Sequence, residues 1–341
     1  MTRIRSIRWL AALALACLLP AFSHTAAAQA GGDVAPDALV RARSAVVGVL
    51  VAATEGARSA ETLGERRGGS GVVIGADGLI LTIGYLLLEA DRVGVVTQDG
   101  RTLPARAVAY DLATGFGLVR TLVPLPGIEP VPLGSVAGLE TGEPLLVAVG
   151  GVRAEVALTR VVSRRPFSGY WEYHIDSALF TSPPNGNHSG APVFNRRGEL
   201  LGIGSLFVAD ALGDGKRMPG NMYLPVDLLK PILAELQASG TTSSSRRAWI
   251  GVNAAEQGGR VQVVRITKDS PAQDAGLAPG DVVAAVDGVP VDSLERFYKK
   301  LWERPNPDDE VRLTVRRGDA ERQVTLRAVD RMSTMKKPAG I

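Results

Sequence analysis

Apolar residues in this chain recur in short runs that alternate with polar positions, and turn residues punctuate the runs. A short amphipathic stretch at 38–44 leads into an apolar run at 45–52 that reads as a strand, and the polar 54–67 reads as a mobile loop. From residue 69 onward, strand-like runs follow at 71–74, 79–82, 93–97, 105–109, 118–122, 144–149 and 156–162. Ala76-Asp77-Gly78, Gln98-Asp99-Gly100 and Arg196-Arg197-Gly198 supply residues suited to tight turns. Strands about ten residues apart, with no long helix between them, predict a barrel or sandwich. At 226–237 the apolar positions fall three and four apart, which predicts a helix closing this domain. Residues 238–247 have the Ser/Thr/Gly composition of a flexible linker. Beyond them, 248–252, 259–267, 281–286, 310–316 and 323–328 read as strands, and 271–275 and 293–303 as helices. The second helix is amphipathic through Leu294, Phe297, Tyr298, Leu301 and Trp302. The predicted organisation is a first domain at 36–237, a linker, a second domain at 248–329 and a disordered tail at 330–341.

Residues 1–30 read as a cleavable export signal. Arg3, Arg5 and Arg8 precede an apolar run from Trp9 to Phe22, and Ala28-Gln29-Ala30 is a small-x-small cleavage site. That run is too short for a bilayer core of about 30 Å, which needs about 20 residues. The expectation is a periplasmic or secreted protein without a membrane span. Cys17 is the sole cysteine and falls in the leader. A lipid-anchored reading calls for a bulky residue three positions earlier, where Ala14 stands, so cleavage after Ala30 is preferred. What remains holds no thiolate nucleophile and no cysteine-based zinc site. The net charge of +3 equals the three leader arginines, because residues 1–30 carry no Asp or Glu. The rest is near neutral and lacks the basic surplus of a nucleic-acid-binding protein.

In the second domain, Trp249-Ile250-Gly251-Val252, the run from Ser270 to Val283 containing Ala-Gly-Leu-Ala-Pro-Gly-Asp-Val-Val, and Val286-Asp287-Gly288 stand at spacings that resemble a PDZ domain of the bacterial protease-associated kind. The physics of such a site is independent of the resemblance. An apolar-Gly-apolar loop frees backbone N–H groups to cradle a terminal carboxylate, and the adjoining strand edge can pair with an extended peptide. Ile250, Gly251, Val252 and, on the helix, Phe297 are the candidate peptide-binding residues, whereas Leu294 and Leu301 read as core.

In the first domain, Gly69-Ser70-Gly71-Val72-Val73-Ile74 and Asp77-Gly78-Leu79-Ile80-Leu81-Thr82 resemble the approach to the active site of HtrA/DegP-like serine proteases. Asn185-Gly186-Asn187-His188-Ser189-Gly190-Ala191-Pro192 resembles that family's nucleophile motif, and Asn221 to Val226 its closing strand. The resemblance implies a mainly β architecture: a trypsin-like pair of six-stranded barrels followed by a small α+β PDZ domain. It also implies a homotrimer as one candidate assembly; an active protease relative is the alternative partner. Ser189 stands at the nucleophile, but Tyr85 holds the position of the histidine base and Gly115 that of the triad aspartate. Asn187 holds the oxyanion-loop glycine position, followed by His188.

A serine hydroxyl is a poor nucleophile until a base takes its proton, and a carboxylate must orient that base. A phenol with an ordinary pKa of about 10 cannot replace it at neutral pH. His174 and His188 are the histidines outside the leader; His188 adjoins Ser189, where neighbouring side chains diverge, and His174 lies on a strand leading to the nucleophile loop. Asp111 and Asp176 match non-triad positions and serve turns on this reading. No metal or cofactor is expected. The preferred reading is an inactive protease homologue that binds peptide C-termini or unfolded envelope proteins, in quality control or regulation. An active endopeptidase with a displaced base and a purely architectural subunit are the alternatives.

Overall fold

The computed structural model describes residues 36–336 apart from 152, 153 and 214, so the expected leader and the end of the expected tail lie outside the described residues. A helix α1 (Pro36–Ser44) leads into β1 (Val46–Ala53), and a helical turn α2 (Ala60–Leu63) precedes β2 (Arg66–Val73). β3 (Leu79–Ile83), β4 (Ala90–Val96), β5 (Thr102–Tyr110) and β6 (Phe116–Thr121) complete a closed barrel of order β1-β2-β3-β6-β5-β4. A second closed barrel follows, built from β7 (Pro144–Val149), β8 (Glu155–Gly169), β9 (Tyr173–Ser182), β10 (Pro192–Phe194), β11 (Leu200–Val208) and β12 (Gly220–Pro225). Inward apolar positions such as Val49, Ile80, Phe116, Phe180 and Leu224 fill these barrels and are fully buried. Closing each sheet on itself removes the exposed strand edges that an open sheet leaves.

The expected helix at 226–237 is shorter in the structure: α3 (Leu233–Ser239) starts only after Pro231, and residues before it form turns. Proline removes a backbone donor and blocks the preceding turn, so the apolar spacing overstated the helix. The polar loop at 54–67 is tied down instead of free. Ser59 donates from N and Oγ to Glu89 Oε2 at 2.8 and 2.6 Å, and Arg67 Nη2 reaches Ser59 Oγ at 2.7 Å.

The PDZ domain comprises β13 (Ala248–Trp249), β14 (Val252–Gln257), β15 (Arg260–Ile266), α4 (Pro271–Asp274), β16 (Val282–Val286), β17 (Val289–Pro290), α5 (Leu294–Trp302), β18 (Glu310–Arg317), β19 (Ala320–Arg327) and β20 (Val329–Asp330). Ser270 and Ser293 cap α4 and α5, their side chains accepting from Gln273 N and Arg296 N. Such caps satisfy donors that a helix start leaves unpaired. Strands β14 to β19 form the main sheet, and β13 pairs with β20 in a separate two-stranded ribbon.

Two expectations of disorder are replaced by specific contacts. In the stretch 238–247, Thr242 and Ser245 are buried, and both hydroxyls donate to Asp111 Oδ1 beside the first barrel. Ser245 Oγ in turn accepts from Leu112 N at 2.8 Å. After β20, a single 3-10 turn (Arg331–Thr334) carries the chain on, and Lys336 N donates to Glu89 Oε1 at 2.9 Å. Composition could not supply these partners, which lie far away in sequence.

Candidate functional site

Two places on the molecule concentrate chemistry: the cleft at Ser189 and the PDZ groove. Around Ser189 the barrels approach closely. Ser70 N donates to Ser189 O at 2.8 Å, and a Cβ at Gly69 would lie 2.5 Å from that same oxygen. Gly69 is therefore needed for the nucleophile loop to reach the first barrel.

Tyr85 sits in the 3-10 turn Gly84–Leu87 and its hydroxyl lies 2.8 Å from Ser189 Oγ. Tyr85, expected at the position of the histidine base, thus faces Ser189. The same hydroxyl lies 3.1 Å from Ser205 O. With one proton between two neighbours, the phenol donates to one of them, and it remains protonated in either arrangement. Burial pushes the Tyr85 phenol above its ordinary value, and the bond to Ser189 offsets only part of that. It cannot take a proton from Ser189 at neutral pH.

Gly115 has φ +91°, and a Cβ built there would lie 3.1 Å from Tyr173 Oη and 3.2 Å from Leu224 Cδ1. Tyr173 fills the space beside it, and its hydroxyl donates to Thr114 O at 2.6 Å. Asn187 N, the backbone donor at the oxyanion-glycine position, is engaged by Asn185 Oδ1 at 2.7 Å. An N–H held this way is not aimed at a developing oxyanion. His188 is half-buried, and its Nδ1 is buried without a hydrogen-bond partner. Burial pushes its pKa down, and no bond joins it to Ser189 Oγ. His174 is buried at the start of β9 with Nδ1 2.8 Å from Ser168 Oγ and Nε2 3.2 Å from Asp176 Oδ1. Asp111 grips Thr242, Ser245 and the 111–114 turn and takes no part at Ser189.

Among the described residues, His174, Asp176 and Glu295 bring potential metal-ligating atoms together. Lys299 Nζ lies 2.6 Å from Asp176 Oδ1 and 2.7 Å from Glu295 Oε1, so its ammonium already balances both carboxylates.

The PDZ loop holds a carboxylate, and it is one of the chain's own. Gly251 N and Val252 N each donate to Glu172 Oε1 at 2.8 Å, and Ile250 N donates to Oε2 at 3.3 Å. Glu172 belongs to the turn between β8 and β9, with φ +56°. Next along the groove, Ala254 N donates to Tyr170 O at 2.9 Å, one rung of strand addition. From α5, Tyr298 Oη donates to Gly169 O at 2.7 Å. Phe297, expected at the groove, is fully buried in the PDZ core, and Tyr298 makes the helix's bond to the turn. Helical spacing marks both as inward and cannot say which one meets the groove's occupant. Burial pushes Glu172 up to about 7, against the Arg331 guanidinium and the three N–H donors. Sequence reading named Ile250, Gly251 and Val252 but missed Glu172, Tyr173 and Arg331. A charged residue in a turn carries no signal for a partner 78 positions away.

Residues 69–203 match the trypsin-like peptidase domain and residues 248–327 the PDZ domain. The chain is 28% identical over 284 residues to the serine protease HhoA of Synechocystis sp., across 76% of this chain and 69% of that one. It is 30% identical over 298 residues to a DegP-like periplasmic serine endoprotease of Halomonas elongata, across 81% of this chain and 59% of that one. Against the solved HtrA-type protease AlgW with a tripeptide, the TM-score is 0.52 at 22% identity, covering 89% of this chain and 97% of that one. A serine endoprotease from Yersinia pestis gives 0.51 at 22%, covering 86% and 96%. These structural likenesses fix the fold: two barrels, then a PDZ domain. With both domains matched in order, the chain is a trypsin-like peptidase domain followed by a C-terminal PDZ domain, with homologues among HtrA/DegP-like serine proteases.

Proposed function

We propose that this chain is an exported, proteolytically inactive member of its family that binds peptide C-termini or unfolded envelope proteins through its PDZ domain. The observation that carries the reading is the Tyr85 hydroxyl against Ser189 Oγ at 2.8 Å, where a base should stand. Losing the base costs about 10⁶-fold in turnover in a comparable triad, about 8 kcal/mol at the transition state. The vacant carboxylate position at Gly115 and the engaged Asn187 N–H add to the deficit. A displaced base would have to come from His188 or His174. The first has no bond to the serine, and the second is committed to Ser168 and Asp176. Export is supported by the leader pattern in the sequence and by relatives named periplasmic. The test is to incubate the purified protein with casein and with a fluorophosphonate probe, beside an active relative. No cleavage and no labelling are expected. Casein cleavage that disappears in Ser189→Ala would overturn the reading.

A further inference from the structure

The carboxylate loop of the PDZ domain is full. Three backbone donors that could hold a peptide terminus hold Glu172 instead. The rest of the turn follows the groove as a bound peptide would: Tyr170 O, two residues before the carboxylate, accepts from Ala254 N on the β14 edge. Tyr298 from α5 bonds Gly169 O, and Arg331 Nη1 bonds Trp171 O at 3.0 Å, fixing the turn from two more sides. Glu172 is 5% exposed, and the cavity it lines with Trp249 and Arg331 has a volume of about 10 Å³, too small for a second carboxylate.

We propose that the β8–β9 turn, residues 169–172, is the resident ligand of the PDZ groove, with the Glu172 side chain replacing a C-terminal carboxylate, and that a peptide terminus binds this chain only by displacing it. The displacement half rests on the peptide-binding reading above. The two ligands compete for the same N–H groups, so the apparent dissociation constant for a peptide is the intrinsic one divided by the fraction of molecules with the turn undocked. The chemistry that opens the groove is a free carboxylate on an extended, apolar-ended chain, because only that matches all three N–H donors and the strand edge together. A peptide that wins the groove also frees the turn on the second barrel.

The experiment uses the full chain as wild type, Glu172→Gln and Glu172→Ala. Hydrogen exchange is followed at Ile250, Gly251 and Val252, with the β18–β19 ladder as the check that the domain stays folded. In parallel, labelled decapeptides ending in Val, Leu, Ile or Phe, with free or amidated termini, are titrated into each protein. Both variants should exchange at least tenfold faster at the three loop amides, with the ladder unchanged. Free-ended peptides should bind them at least tenfold more tightly than wild type, and amidated ones should gain nothing. Unchanged exchange at the loop, or equal peptide affinity in wild type and variants, overturns the proposal. Faster loop exchange with no peptide bound by any of the three proteins leaves the turn as resident ligand, but removes displacement and the peptide-binding reading with it.

Discussion

Restoring the missing triad side chains tests the account of Ser189 most severely. In Tyr85→His/Gly115→Asp the base and its orienter return, and a simple account of degeneracy would expect a protease. The structure opposes both halves. Gly115 has φ +91°, where a side chain costs about 1–3 kcal/mol, and its Cβ would press on Tyr173 Oη at 3.1 Å and Leu224 at 3.2 Å. The carboxylate therefore enters a filled space, and an unoriented base alone costs about 10⁴-fold. Asn187 N still donates to Asn185 Oδ1, and a missing oxyanion donor costs about 10²–10³-fold. Tyr85→His alone should thus fall on the order of 10⁶–10⁷-fold below an active relative. The double variant should stay at least about 10²–10³-fold below, and only adding Asn187→Gly should recover more. Thermal unfolding should show the Gly115→Asp cost directly. Casein hydrolysis and fluorophosphonate labelling rates supply the measurement. A double variant within tenfold of the active relative would refute the reasoning about position 115 and the oxyanion loop.

Three further outcomes are expected. Docked Glu172 is raised to about 7 while a free glutamate titrates in the usual range, so the docked state is favoured at low pH and loses that advantage as pH rises through about 7. Peptide affinity of the wild type should therefore improve, by up to about tenfold per pH unit towards 7, while Glu172→Gln stays flat; parallel wild-type and variant profiles would sink this. Gly251→Asp should unfold the PDZ domain, not merely repel a carboxylate, since a Cβ at φ +84° would lie 2.3 Å from Ser270 Cβ. The cost should be about 3 kcal/mol or more, and a folded, non-binding variant by calorimetry would contradict it. Ser245→Ala should strip one donor from buried Asp111 and cost about 1–3 kcal/mol, with faster proteolysis at 238–247; unchanged unfolding and cleavage would count against the clamp.

The barrels were legible because strand periodicity is a local signal: 144–149 reads as a strand from its apolar run alone and is β7 in the structure. β8 extends seven residues past the expected end at 162 because its polar Ser163-Arg164-Arg165 stretch still pairs with β9 through two register shifts. Alternation weakens where a strand bulges, so the pattern faded before the hydrogen bonds did. Motif spacing paired Tyr85 with Ser189, and their hydroxyls lie 2.8 Å apart in the structure. The linker was misread for a different reason. Ser and Thr look flexible by composition, but Thr242 and Ser245 find a carboxylate more than 130 positions away. Glu172 had the same fault in reverse: a charged turn residue looks solvated until the PDZ domain folds over it.

The two departures from protease chemistry meet at one dipeptide. Glu172 turns into the PDZ loop, and its neighbour Tyr173 turns towards Gly115, where a triad carboxylate would sit. Trp171 stacks on Tyr173 at 5.7 Å with planes 12° apart, and Arg331 holds the Trp171 carbonyl. A side chain at position 115 would push Tyr173, and through it the segment that fills the groove. Under the displacement proposal, expelling Glu172 would act on the residue adjoining Tyr173, whose hydroxyl donates to Thr114 O. Gly115 and the filled PDZ loop are thus linked through the adjacent residues Glu172 and Tyr173, and not through Ser189.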